Sequence, residues 1–107
     1  MPRPPWDLKP GVPDATLHPR LNQARHQLAL LWGRYWAEIP TVTCTTDGKH
    51  MPGSKHYARP CGAIDLRLPK LLLAFLEQAR ALLGPDFDLV LEPTHLHVEY
   101  DPKPKRR

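Results

Sequence analysis

The chain has 107 residues, a formal charge of +4, 41% hydrophobic and 24% charged residues, and two cysteines. That length carries one domain with a modest core and leaves no room for a separate cofactor domain. The composition excludes a disordered or collagen-like chain; no apolar run reaches the roughly 18 residues that span a bilayer; and Cys44 and Cys61 are too few for a disulfide framework or a cysteine zinc finger.

Residues 1–13 hold five prolines and read as an extended arm that either wraps the domain or stays loose, with the Trp6 ring as its anchor. The domain proper is expected over 14–102. Pro19 suits a first helical position, because its missing N–H has no partner there in any case. Leu21, Ala24, Leu28 and Leu31 then recur at three- and four-residue spacing, and Trp32, Tyr35 and Trp36 extend the stripe until Pro40 stops it. A helix is expected over about 18–37. Thr41–Thr46 is β-branched and reads as a strand; Asp47-Gly48 is a turn signal. Residues 47–61 form a polar loop of a length that is usually functional in so small a domain. Residues 63–68 alternate as a second strand, with Ile64, Leu66 and Leu68 on one face and Ala63, Asp65 and Arg67 on the other. Pro69 opens a second helix, about 69–83, closed by Gly84. Residues 86–91 and 95–100 form a hairpin around Pro93-Thr94. This order predicts an α+β fold: a small, mainly antiparallel sheet with helices packed on one face.

Residues 103–107 are a basic tail. It reads as a solvated end, as a phosphate-binding segment, or as a source of attraction to an anionic polymer such as a cell wall. The N-terminus has no apolar stretch behind Arg3, so no secretory signal is expected.

Three of the six histidines fall in clusters that carry chemistry. His56 precedes Asp65 in the middle of the chain. Near the end, His95, His97 and Glu99 share one face of a strand, while Leu96, Val98 and Tyr100 share the other. If the two strands are neighbours with polar faces aligned, Asp65 and the His-x-His pair converge and His56 can join them. Two imidazoles and a carboxylate suit a catalytic zinc ion, which takes three protein ligands and keeps a position for water. A lone His-x-His on a strand reads equally as a surface pair, and Cys61 reads as a small buried apolar side chain.

Ser54-Lys55-His56-Tyr57 followed by Gly62-Ala63-Ile64-Asp65 resembles the Ser-x-His-x-x-Gly-x-Ala-x-Asp motif of the zinc D-Ala-D-Ala carboxypeptidase and L-alanyl-D-glutamate peptidase family of bacteria and phage endolysins. Residues 90–100 resemble that family's closing strand, so the resemblance runs from about Pro19 to Pro102. It implies a hedgehog/DD-peptidase-like fold, with His56, Asp65 and His97 as Zn2+ ligands and His95 as catalytic helper. A second pattern of the family overlaps it, with Glu92 as catalytic base and His95 as ligand. Ser54 and Arg67 are the substrate-binding candidates, with Lys49 and Arg59 as other cations for a substrate carboxylate. The spacing departs from the family: Asp65 stands nine residues after His56 rather than seven.

The resulting expectation is a monomeric zinc peptidase that hydrolyses amide bonds in peptidoglycan stem peptides, made in the cytoplasm and acting on the cell wall if released, without nucleic-acid binding or membrane insertion. A non-catalytic, metal-binding relative acting as a binding or phage structural module is the alternative, and a small basic nucleic-acid binder is a third.

Overall fold

The structure is a computed structural model, which describes residues 4–36, 38–68 and 72–102. The basic tail and the proposed helix-opening Pro69 lie outside the described residues. A five-stranded mixed sheet and two helices make an α+β domain. The strands are β1 (Asp7–Leu8), β2 (Thr41–Cys44), β3 (Ala63–Arg67), β4 (Phe87–Leu91) and β5 (His95–Tyr100). The helices are α1 (Pro19–Tyr35) and α2 (Leu72–Leu83), and Lys55–Tyr57 forms a single 3-10 turn. The sheet order is β1-β2-β3-β5-β4, antiparallel throughout except for the parallel β1–β2 pair. No helix among the described residues is long and apolar enough to cross a membrane.

Strand alternation separates the sheet into two chemically distinct faces. Val42, Ile64, Leu66, Leu89, Leu96 and Val98 form one buried cluster with Leu21, Ala24, Leu28, Leu31 and Trp32 of α1 and Phe75, Leu76 and Ala79 of α2. Both helices therefore cover the same face. An aromatic knot ties them together: the Phe75 ring lies 5.3 Å from Trp32 and 5.2 Å from Trp36. Burying these stripes stabilises the domain by about 1.5–3 kcal/mol for each fully buried large side chain. The opposite face keeps the polar residues free for chemistry.

Local sequence explains the element ends. Pro19 occupies the first turn of α1, and the His18 Nδ1 accepts from the Arg20 N–H at 3.1 Å as the cap. Gly84 ends α2 with φ of 81°, a left-handed conformation that favours glycine, and its N–H donates to the Arg80 carbonyl. β2 is two residues shorter than the β-branched run suggests. Thr45 leaves the ladder, where its N–H donates to the Asp47 carboxylate at 2.8 Å, a local side-chain bond that competes with strand pairing.

From Pro4 on, the N-terminal arm wraps rather than hangs loose. Its Asp7–Leu8 pairs with Thr41–Val42, through Asp7 N–H to the Pro40 carbonyl and Lys9 N–H to the Val42 carbonyl, both 2.9 Å. Trp6 is the anchor: it is buried, with the Arg25 guanidinium 3.8 Å from its ring centre and the His26 ring edge-on at 4.6 Å.

Candidate metal centre

β3 and β5 lie side by side with their polar faces aligned. The register pairs Ala63 with Glu99, Asp65 with His97 and Arg67 with His95. Antiparallel partners project to the same face, so Asp65 and both histidines of the His-x-His pair share one patch.

His56 reaches the same patch from the loop. The Ser54 Oγ caps the 3-10 turn by accepting from the His56 N–H at 3.2 Å. The nine-residue interval to Asp65 is absorbed by a fold-back: the Lys55 carbonyl accepts from both the Ala58 and Gly62 N–H groups, at 3.2 and 2.9 Å. Gly62 suits this close approach, since an added Cβ would stand 3.4 Å from the Lys55 carbonyl oxygen and Cβ. Cys61 is tucked beneath, its backbone bonded to Thr16 and His18 and its side chain 1% exposed. It is a core residue and not a donor to the cluster.

The three side chains meet at one carboxylate oxygen. His56 Nε2 lies 3.2 Å and His97 Nδ1 3.0 Å from Asp65 Oδ1, and the three donor atoms fall within 4.8 Å of one another. Zinc bonds of about 2.0–2.2 Å place neighbouring ligand atoms of a tetrahedron about 3.4 Å apart. The observed spacings to Asp65 Oδ1 are slightly tighter, as hydrogen bonds are. His95 stands to one side: its Nε2 is 3.6 Å from the other oxygen, Oδ2, and its side chain is 31% exposed.

The outer partners fix which nitrogen each ring offers. The His56 Nδ1–H donates to the buried Thr45 carbonyl at 2.6 Å, which leaves Nε2 facing Asp65, as a hydrogen-bond donor in the metal-free cluster and as the ligand atom when an ion is bound. On His97, Nε2 lies 3.1 Å from Glu99 Oε1, so a proton held there leaves Nδ1 as the donor atom. Two such imidazole nitrogens with one carboxylate oxygen fit a zinc ion.

Electrostatics agree. Burial pushes the Asp65 carboxyl up, but hydrogen bonds from His56 and His97 and the charge of His56 and His95 outweigh it and hold the group well below the usual carboxylate range. The hydrogen bond to Asp65 raises His97 above its ordinary value; burial opposes this, and Glu99 adds to it.

Thr45 is the hub that holds His56. Its hydroxyl donates to the Pro13 carbonyl at 2.8 Å and its side chain is fully buried. Thr45→Val is expected to cost about 1 kcal/mol, read as a melting temperature lower by about 4–8 °C. The metal content is expected to stay unchanged, because the valine keeps the carbonyl that orients His56. A loss of metal in this variant counts against that backbone role.

The other expected site residues fall differently. Ser54 is spent on its cap. Arg67 is exposed at the end of β3, opposite His95. Glu92 sits at the hairpin turn, where its N–H donates to the His95 carbonyl at 2.9 Å; among the described residues its carboxylate forms no hydrogen bond or ion pair with the cluster. Sequence reasoning gives no role in the site to Cys44, His50 or Glu99. Alternation places Glu99 on the strand face of His97, and the structure adds its contact with His97 Nε2.

Cys44, His50 and His56 form a second group of possible metal ligands. No family model, curated protein or solved structure matches this chain.

Proposed function

We propose that the protein is a zinc peptidase with a hedgehog/DD-peptidase-like fold that hydrolyses amide bonds in peptidoglycan stem peptides. One observation carries the reading: His56, Asp65 and His97 converge on a single point, each imidazole oriented by its own outer partner. The motif around Ser54, His56 and Asp65 supplies the substrate class, and the net positive charge suits a polyanionic wall.

His56, Asp65 and His97 would hold the ion. When bound, zinc supplies Lewis acidity toward a carbonyl and lowers the pKa of a water. The rest falls to the chain's own side chains. His95 is the half-open imidazole of the patch, free to take a proton from an attacking water and return it to the leaving amine. It is held beside the reacting point by Asp65 Oδ2. Glu92, next to it across the turn, is the second candidate for that proton. Arg67, opposite His95 on the same face, is the candidate cation for a substrate carboxylate.

The test pairs metal analysis with digestion of purified muropeptides. The wild type is expected to bind zinc and to release product amine. His97→Ala is expected to lose the zinc equivalent at Asp65 and the cleavage. His95→Ala is expected to keep the zinc and lose about 10²–10⁴-fold in kcat, the usual contribution of a general acid–base. If Glu92→Gln shows that loss and His95→Ala does not, the proton role passes to Glu92. Bound zinc without cleavage of any stem-peptide bond overturns the peptidase reading and leaves a metal-binding module.

A further inference from the structure

The cluster has a second side, on which a thiol stands. Strict alternation along β2 would turn Cys44 to the core face with Val42. The register shifts between them instead: Val42 pairs with Leu66, whereas Cys44 pairs with Asp65. This β-bulge re-aims Cys44 toward the polar face, a device common beside functional sites. Its Sγ lies 3.3 Å from His50 Nε2 and 3.9 Å from His56 Nδ1.

His50 is positioned as deliberately. Its ring stacks on His56, 4.0 Å between centres and 11° from parallel. The Tyr57 hydroxyl holds its backbone, accepting from the His50 N–H at 2.7 Å while donating to the Gly48 carbonyl at 3.0 Å. The Asp47 carbonyl closes the group, 3.1 Å from Cys44 Sγ and 2.8 Å from His50 Nε2. Sulfur, imidazole nitrogen and carbonyl oxygen thus surround one small space. His56 Nδ1 borders it but is committed to the Thr45 carbonyl, so the imidazole forms a wall between this space and the Asp65 side.

The geometry points to a second cation position, formed by Cys44, His50 and the Asp47 carbonyl, for a thiophilic ion of the zinc or cadmium class. A thiolate beside an imidazole selects such ions over magnesium or calcium, which prefer oxygen. Proton balance is simple. The Cys44 thiol proton leaves to solvent, and the His50 proton moves from Nε2 to Nδ1, so one proton is released for each ion bound. Burial, with Asp65 and Asp47 nearby, pushes the free thiol up to about 12, so the ion must displace that proton. With its neighbour occupied, charge repulsion makes this the weaker position. The inference needs only this cluster and stands whether or not the protein is a peptidase.

The full chain, reduced and metal-free, is titrated with Co2+. About two equivalents are expected to bind, the later one bringing a near-ultraviolet thiolate-to-cobalt charge-transfer band. Cys44→Ser is expected to abolish the band and one equivalent, and Cys61→Ser to keep both. His97→Ala should lose the other equivalent yet retain the band. His50→Ala, at a half-buried loop residue, gives a second route if Cys44→Ser misfolds: the band should then need at least about tenfold more cobalt. A wild type without the band overturns the proposal, as does a band that survives Cys44→Ser. A single equivalent whose band vanishes in both Cys44→Ser and His97→Ala also overturns it, by showing one mixed site.

Discussion

His56→Ala is expected to abolish the zinc equivalent held at Asp65 and, with it, all hydrolysis of stem peptides. The imidazole is 2% exposed and joins the loop to the sheet, with Nδ1 on the Thr45 carbonyl and Nε2 on Asp65. Removing it leaves two ligands, Asp65 and His97, where catalytic zinc sites use three. It also strands a buried carbonyl, at a cost of about 1–3 kcal/mol, and opens a cavity. The variant should therefore melt at lower temperature as well as lose that metal. The two effects separate by measurement: circular dichroism at low temperature reports whether the domain is folded, and competition with a chromophoric chelator reports affinity. A folded His56→Ala that keeps stoichiometric zinc on the His97 side removes His56 from the site and the peptidase proposal with it.

The strand faces explain why half of this site is readable from residue order alone. Asp65, His95 and His97 lie in runs whose apolar partners must face the core, so period-two alternation fixes where the polar members go. The α1 stripe and the hairpin are legible for the same reason, since burial leaves no other solution. The pairing of β3 with β5 is not local, and only the assembled sheet turns a shared polarity into a 3.0 Å contact. Cys44 was hidden by the bulge, which breaks the alternation on which the reading depends. Thr45 was hidden because its contribution is a backbone carbonyl, common to every residue type. The arm's two-residue β1 is set by the Trp6 anchor and by the open edge of β2, and nothing in a proline-rich segment announces a strand. The fold-back at Lys55 lets the longer interval between His56 and Asp65 close on one point, because the extra residues loop outward and leave the ends in place.

Zinc is expected to stabilise this domain strongly and more so as pH rises. At free zinc 1,000-fold above Kd, binding to the native state alone adds about 4.1 kcal/mol, on the order of 15–30 °C in melting temperature for a domain of this size. The pH dependence follows from the metal-free cluster. Asp65 is held below its ordinary value, so its stabilisation is present above about pH 4 and disappears as pH falls through the depressed value. His97 is raised, so its stabilisation is full below its ordinary value of 6.5 and disappears as pH climbs through the raised one. For this pair, the metal-free protein is most stable between about pH 4 and 6.5 and weakens toward alkaline pH. Zinc reverses the alkaline trend, because it takes the place of the proton on His97 Nδ1 and competes better as protons become scarce. The melting-temperature gap between zinc-loaded and metal-free protein should widen from about pH 5.5 to 8. In Asp65→Asn, the carboxylate that raises His97 is gone, so the metal-free protein should lose most of its alkaline decline from this source and the zinc-induced gap should collapse. A gap that is flat or narrows with pH in the wild type is incompatible with His97 exchanging a proton for the ion.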